Sequence, residues 1–222
     1  MTTPAEPLIE VRDLRHEIDG RCVMAAPPFS AAKGEHTLLL GPSGSGKTTL
    51  INVITGLITP TSGEVRIAGQ VMSALPAAQR DQLRRRTIGV VFQTLRLISA
   101  LSVRQNLALA QRLALGANDP EAIEGLIAQV GLSHRADARP RALSQGEGQR
   151  AAIARALCAR PAIVVADEPT SALDDANAAA MSDLLLATAE ATGATLLIAT
   201  HDNRLKARFD RTLNLSAPQV AV

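Results

Sequence analysis

A chain of 222 residues is long enough to bury a core as one domain, or as one domain with a lobe. Its 23 basic and 21 acidic side chains leave a net charge of +2, which implies no basic face for nucleic acid, and without Trp or Tyr it lacks stacking platforms for single strands. No apolar run approaches a bilayer span and the first residues show no signal-peptide pattern, so work at a membrane would need a second chain.

The alternation of Leu8-Ile-Glu-Val-Arg12 predicts a strand. After the turn at Asp19-Gly20, a second stretch runs through Phe29, and Ala32-Lys33-Gly34-Glu35 turns the chain into a short apolar strand, Thr37 to Leu40. A glycine-rich segment follows, then an apolar-periodic helix from Leu50 to Leu57. Pro60-Thr-Ser-Gly63 breaks it, and Gly63 to Gly69 alternates again, so the outer strands predict a small antiparallel sheet. Leu75 to Arg86 reads as a helix whose Arg84-Arg85-Arg86 run is a solvated face rather than a lipid or phosphate contact. Ile88-Gly-Val-Val-Phe92 is a compact strand that ends in Gln93.

From Gln93 to about Ala159 the pattern is helical. Its clearest signal is the pair Asp119-Pro120, an N-cap and first-turn residue, before Ile123, Leu126, Ile127 and Val130 on one face and Gly131 as the stop. This midsection is expected to be a helical lobe inserted into an α/β core. The core pattern returns with Ala162 to Ala166, apolar on both faces as a central parallel strand should be, and Asp167-Glu168 closes it. A helix near 178–191 and a buried strand, Ala194 to Thr200, lead to His201. Cys22 and Cys158 fit no metal spacing and read as buried small apolar residues.

The chemistry begins at Gly41-Pro42-Ser43-Gly44-Ser45-Gly46-Lys47-Thr48-Thr49. This is a G-x-x-x-x-G-K-[ST] phosphate loop between a strand and a helix start, the context that the motif requires. Small residues let consecutive backbone N–H groups curl around an anion, and the helix start adds donors and a positive dipole end. Lys47 can then reach the outer phosphates, with the Thr48 hydroxyl placed for Mg²⁺. Only three lysines occur, Lys33, Lys47 and Lys206, against twenty arginines. Lys stands at the one place where a slim point charge suits a phosphate cradle better than a planar fork. Gln93, Asp167-Glu168 and His201 each end an apolar run, and the carboxyl ends of parallel strands are where ligands collect. An aspartate after a buried strand suits the Mg²⁺ partner, and Glu168 suits the base for an attacking water.

Taken together, these residues resemble the ATP-binding cassette ATPases over nearly the whole chain. Gly41 to Thr49 is similar to that family's Walker A loop, Gln93 to its Q-loop, and Leu143-Ser-Gln-Gly-Glu-Gly-Gln-Arg150 to its signature motif. Ile163 to Glu168 resembles the Walker B strand, Ser171-Ala-Leu-Asp174 the D-loop, and His201 the switch histidine. The resemblance implies an α/β fold: a P-loop NTPase (RecA-like) core, about 1–93 and 160–222, with an antiparallel β subdomain and an α-helical subdomain at about 94–159. It implies ATP and Mg²⁺ as ligands, with Thr48, Gln93 and Asp167 toward the metal and Lys47, Glu168 and His201 in catalysis. It also implies a head-to-tail homodimer, each ATP lying on one Walker A loop and under the other copy's Ser144 and Gly146. Closure on ATP, hydrolysis and reopening make up the implied cycle. An integral membrane permease would dock on the lobe after Gln93, at the cytoplasmic face of the inner membrane.

Three positions depart from the family pattern, Leu-Ser-Gly-Gly-Gln with an aromatic under the adenine. Gln145 stands at the first glycine of the signature. Glu147 puts a carboxylate near a polyphosphate, which predicts weaker closure. Ile18 falls where the base-stacking aromatic is expected, and losing a stack of ~1–3 kcal/mol predicts weaker nucleotide binding unless Ile18 or His16 substitutes. Met72-Ser-Ala-Leu75, Thr87 to Gln93, Leu97-Ile98, Leu101-Ser102 and Asn106 resemble the branch that serves lipoprotein release and macrolide efflux. An importer ATPase is the nearer alternative, and a soluble cassette of DNA repair or translation is a further one that would need a coiled-coil insertion or a second cassette. A non-hydrolysing binding module is at odds with intact Lys47, Asp167, Glu168 and His201.

Overall fold

The computed structural model describes residues 6–171, 175–209 and 211–217. In chain order the elements are β1 (Ile9–Ile18), β2 (Arg21–Ala26), β3 (Phe29–Ala31), β4 (Thr37–Leu40), α1 (Lys47–Ile54), β5 (Ser62–Ile67), β6 (Gln70–Val71), α2 (Ala77–Thr87) and β7 (Ile88–Val91). They continue with α3 (Val103–Leu115), α4 (Pro120–Gln129), α5 (Gln145–Leu157), β8 (Ile163–Asp167), α6 (Asp175–Thr192), β9 (Thr195–Thr200) and β10 (Arg211–Asn214). They fall into two compact units, residues 1–84 with 195–222, and residues 85–194.

The first unit contains the expected antiparallel sheet, ordered β2-β1-β5-β6 with β3 also on β1. Period-two alternation sets its register: Ile9 pairs with Ile67 and Val11 with Val65, and all four are buried. A bulge between His16 and Glu17 interrupts the β1–β2 pairing before the hairpin turn. In the same unit β4 lies between β10 and β9, all parallel. Every residue of β4 and β9 is buried, as expected for strands covered on both faces. The apolar face of α1, Leu50, Ile51, Val53 and Ile54, is buried with them.

In the second unit β7 and β8 pair in parallel, with Ile88 beside Ile163 and Val91 beside Ala166. The small residues of α5 let it lie directly on β7. A Cβ on Gly89 would sit 2.1 Å from the Ala156 carbonyl, so this crossing tolerates no side chain there. Helix α3 starts in a capping box, Ser102 with Gln105, and α4 starts as its sequence predicts, with Asp119 accepting from the Ala122 N–H at 3.0 Å and Pro120 next. Arg104 joins α3 to α4 through Glu124 and also pairs with Asp137. The buried Asn106 accepts from the Ile98 N–H and donates to the carbonyls of Ile98, Leu101 and Ser102, which pins the segment after Gln93. Cys158 is buried, and burial pushes its thiol up to about 12, so it acts as an inert apolar group.

Candidate active site

In the first unit, β4 and β9 end side by side. Leu40 pairs with Thr200, and the Gly41 N–H donates to the Thr200 carbonyl at 3.3 Å. The phosphate-loop sequence, Gly41 through Gly46, and His201 thus leave from the carboxyl ends of neighbouring parallel strands. Pro42, Ser43 and Gly44 are exposed at the turn. Gly46 takes φ +87 just before α1, and a Cβ there would come within 3.0 Å of Met24 and the Val23 carbonyl, so glycine is required twice over.

Among the described residues no side chain caps the N-terminus of α1, whose N-cap is Gly46. Lys47 is only 6% exposed, and its ammonium donates to the carbonyls of Gly41 and Pro42 at 2.8 and 3.1 Å, which brings it back across the loop. Thr48 is exposed and Thr49 half-buried. The Ser45 hydroxyl oxygen is buried without a hydrogen-bond partner. Buried hydroxyls normally find one, so a ligand rich in acceptor oxygens, such as a polyphosphate, fits this loop.

The β1–β2 hairpin borders the same loop. His16 pairs across the strands with Met24, the residue against Gly46, and its Nδ1 is buried without a partner. Ile18 is 53% exposed, opposite Arg21.

The second unit repeats the strand-end arrangement. Gln93 follows two residues after β7, and the neighbouring β8 ends at Asp167, 5% exposed, with Glu168 next. Glu168 has φ +46, uncommon for a non-glycine residue. Its carbonyl accepts from the Ser171 N–H at 3.3 Å and the Ser171 hydroxyl at 3.1 Å, which closes the turn around it. Gln149 of α5 donates to the Pro169 carbonyl at 3.2 Å and ties the signature helix to this turn. Of the D-loop residues, Ala172 to Asp174 lie outside the described residues.

Ser144 is the N-cap of α5, with Gln145 and Gly146 in the first turn; the helix stops at Leu157, two residues before the expected Ala159. Glu147 completes a capping box: its N–H donates to the Ser144 hydroxyl at 3.2 Å, and its carboxylate accepts from the Ser144 N–H at 2.7 Å. The other carboxylate oxygen accepts from Arg135 Nε at 3.0 Å and lies 3.3 Å from His134 Nε2. The Ser144 N–H, then Arg135, hold this carboxyl down at about 2. The expectation of a carboxylate near the polyphosphate did not include these partners. The Ser-x-x-Glu spacing signals the cap, whereas nothing local in sequence signals Arg135.

These features converge with what is known of related proteins. The sequence model of the ABC transporter family matches residues 26–171, and the chain belongs to that family as an ATP-binding-cassette ATPase subunit. It is 41% identical over 192 residues to the lipoprotein-releasing system ATP-binding protein LolD of Xanthomonas euvesicatoria pv. vesicatoria (strain 85-10), an alignment covering 85% of this chain and 78% of that relative. LolD of Xanthomonas oryzae pv. oryzae (strain MAFF 311018) is also 41% identical, over 190 residues, 84% of this chain and 78% of the relative. Among solved structures, the dimeric MJ0796 bacterial ABC transporter cassette matches with a TM-score of 0.85 and 31% identity, over 96% of this chain and 97% of that one. A dimeric post-hydrolysis state of MJ0796 bound to ADP and Pi matches equally well, at 30% identity over the same shares.

Proposed function

We propose that this chain energises a separate membrane-spanning permease by ATP-driven pairing of two copies, for release or extrusion of a lipoprotein or lipophilic substrate. The observation that carries the reading is the phosphate loop itself: a glycine turn with an uncapped helix start, an unpartnered buried hydroxyl at Ser45, and Lys47 lying across it. The similarity to LolD, named for lipoprotein release, supports the substrate class, and the dimeric form of MJ0796 supports the pairing. Among the described residues no helix is long and apolar enough to cross a membrane. In this reading the permease is a separate chain, and this one works at the cytoplasmic face.

The residues divide the chemistry between them. Gly41 to Thr49 bind the phosphates through backbone N–H groups and Lys47. Glu168 accepts a proton from the attacking water, and His201 contacts the terminal phosphate. Thr48, Gln93 and Asp167 offer hydroxyl, amide and carboxylate oxygens, a donor set that suits Mg²⁺, which would neutralise charge on the phosphates. Ser144 and Gly146 meet the nucleotide of the partner copy. The lobe at about 94–159 receives the permease.

The test is phosphate release from ATP by the purified chain with Mg²⁺. Glu168→Gln is expected to slow turnover by ~10²–10⁴-fold while ATP still binds. A variant turning over at the parent rate would overturn Glu168 as the base. Recovery from membranes without any integral membrane protein would count against the permease.

A further inference from the structure

Glu147 puts a carboxylate in the first turn of α5, the helix start proposed above to meet a polyphosphate. Its side chain is only 11% exposed, so water does little to screen its charge. Both carboxylate oxygens are occupied, one by the Ser144 N–H and the other by Arg135 and His134. The histidine is 63% exposed and carries charge only when protonated, which leaves the guanidinium as the permanent counter-charge.

Arg135 is delivered by a rigid turn. Leu132 before it is fully buried and Ala136 after it nearly so. The Arg135 N–H donates to the Leu132 carbonyl at 2.8 Å, and the Arg135 carbonyl accepts from the Ala138 N–H at 2.9 Å. Two further backbone bonds, Val103 N–H to the Ala138 carbonyl and Arg104 N–H to the Ala136 carbonyl, fasten the turn to the start of α3. The guanidinium thus arrives at Glu147 from a fixed platform twelve residues away in sequence.

From this geometry we infer that Arg135 is a positioning residue for the signature helix: it keeps the Glu147 carboxylate turned into the Ser144 cap and cancels its charge. The inference rests on the reading that Ser144 meets the nucleotide of a partner copy. With Arg135 in place, that end of α5 presents its backbone dipole and the Ser144 hydroxyl to an incoming phosphate. Without it, a carboxylate that water screens poorly repels the same phosphate.

The test uses the full chain carrying Glu168→Gln, with pairing followed by sedimentation against ATP and Mg²⁺. Adding Arg135→Ala is expected to weaken ATP-dependent pairing roughly tenfold to hundredfold, through repulsion between the uncancelled carboxylate and the phosphate. ATP binding by the single chain stays unchanged, because Lys47 and its loop are untouched. Adding Glu147→Gln to Arg135→Ala restores most of the pairing, since the amide oxygen still accepts from the Ser144 N–H and carries no charge. A merely structural role for Arg135 gives no such rescue. Parent-like pairing of the Arg135→Ala chain, or failure of Glu147→Gln to rescue it, overturns the inference. Should the alanine variant fail to fold, Arg135→Gln, equally without charge, replaces it with the same expected rescue and the same overturning result. A Glu168→Gln parent that binds ATP but stays single overturns the functional reading and this inference together.

Discussion

Two helix starts in this molecule face the same electrostatic problem and solve it in opposite ways. The N-terminus of α1 has no side-chain cap, and Gly46 before it takes a left-handed backbone that a larger residue resists. The N-terminus of α5 is closed by Ser144 and Glu147 and backed by Arg135. Every helix start has donors that lack intrahelical partners and a partial positive charge. Where the chain supplies its own anion, the start is stable alone and its field is largely spent. Where it supplies none, a ligand's oxygens are the better partner. In this account α1 is the primary phosphate site, and α5 acts only once its built-in charge is cancelled.

The sharpest way to break the comparison is to spoil the open start. Gly46→Ala forces a left-handed alanine, costing ~1–2 kcal/mol, and pushes its Cβ toward Met24 and the Val23 carbonyl. Nucleotide affinity should fall roughly tenfold or more by calorimetric titration, and unchanged affinity would mean that α1 is not the phosphate site. The second change tests the hairpin beside that loop. Ile18→Tyr supplies an aromatic face at an exposed position and should tighten ATP binding roughly tenfold, within the worth of one base stack. An equal gain for tripolyphosphate, which has no base, would show that stacking is not the cause.

The smallest effect concerns the closed start. Because the Glu147 carboxyl is held at about 2, below its ordinary value of ~4.3, its contribution to stability is fully present above that ordinary value and is lost as pH falls toward 2. Glu147→Gln should lower the melting temperature modestly in the neutral region, where the carboxylate contributes, and converge on the parent as pH falls toward 2, which flattens the acid limb in that window. An acid limb identical to the parent's would show that the carboxylate makes no such contribution.

Continuous apolar runs make β4, β8 and β9 legible in the sequence alone, because strands buried on both faces need no alternation. Helix α4 was legible through its Asp119-Pro120 start, and the phosphate loop through glycine spacing. The ends of elements were harder, as with α5, which stops at Leu157 where Cys158 turns inward. The short β10 carries only a weak apolar pattern, and its pairing with β4 is what makes it a strand. Arg135 was illegible for a different reason. Its partner is set by how the turn after α4 packs, and no local spacing encodes that. The strand ends bearing Gln93, Asp167 and His201 could be read as ends, whereas only the sheet pairing shows which of them are neighbours.

The most direct measurement is sedimentation of the Glu168→Gln chain across a range of ATP concentrations with Mg²⁺. The account predicts one copy without nucleotide and a species of twice that mass with ATP, reverting when Lys47→Ala is added. A chain that binds ATP yet sediments as a single copy at every concentration would contradict it.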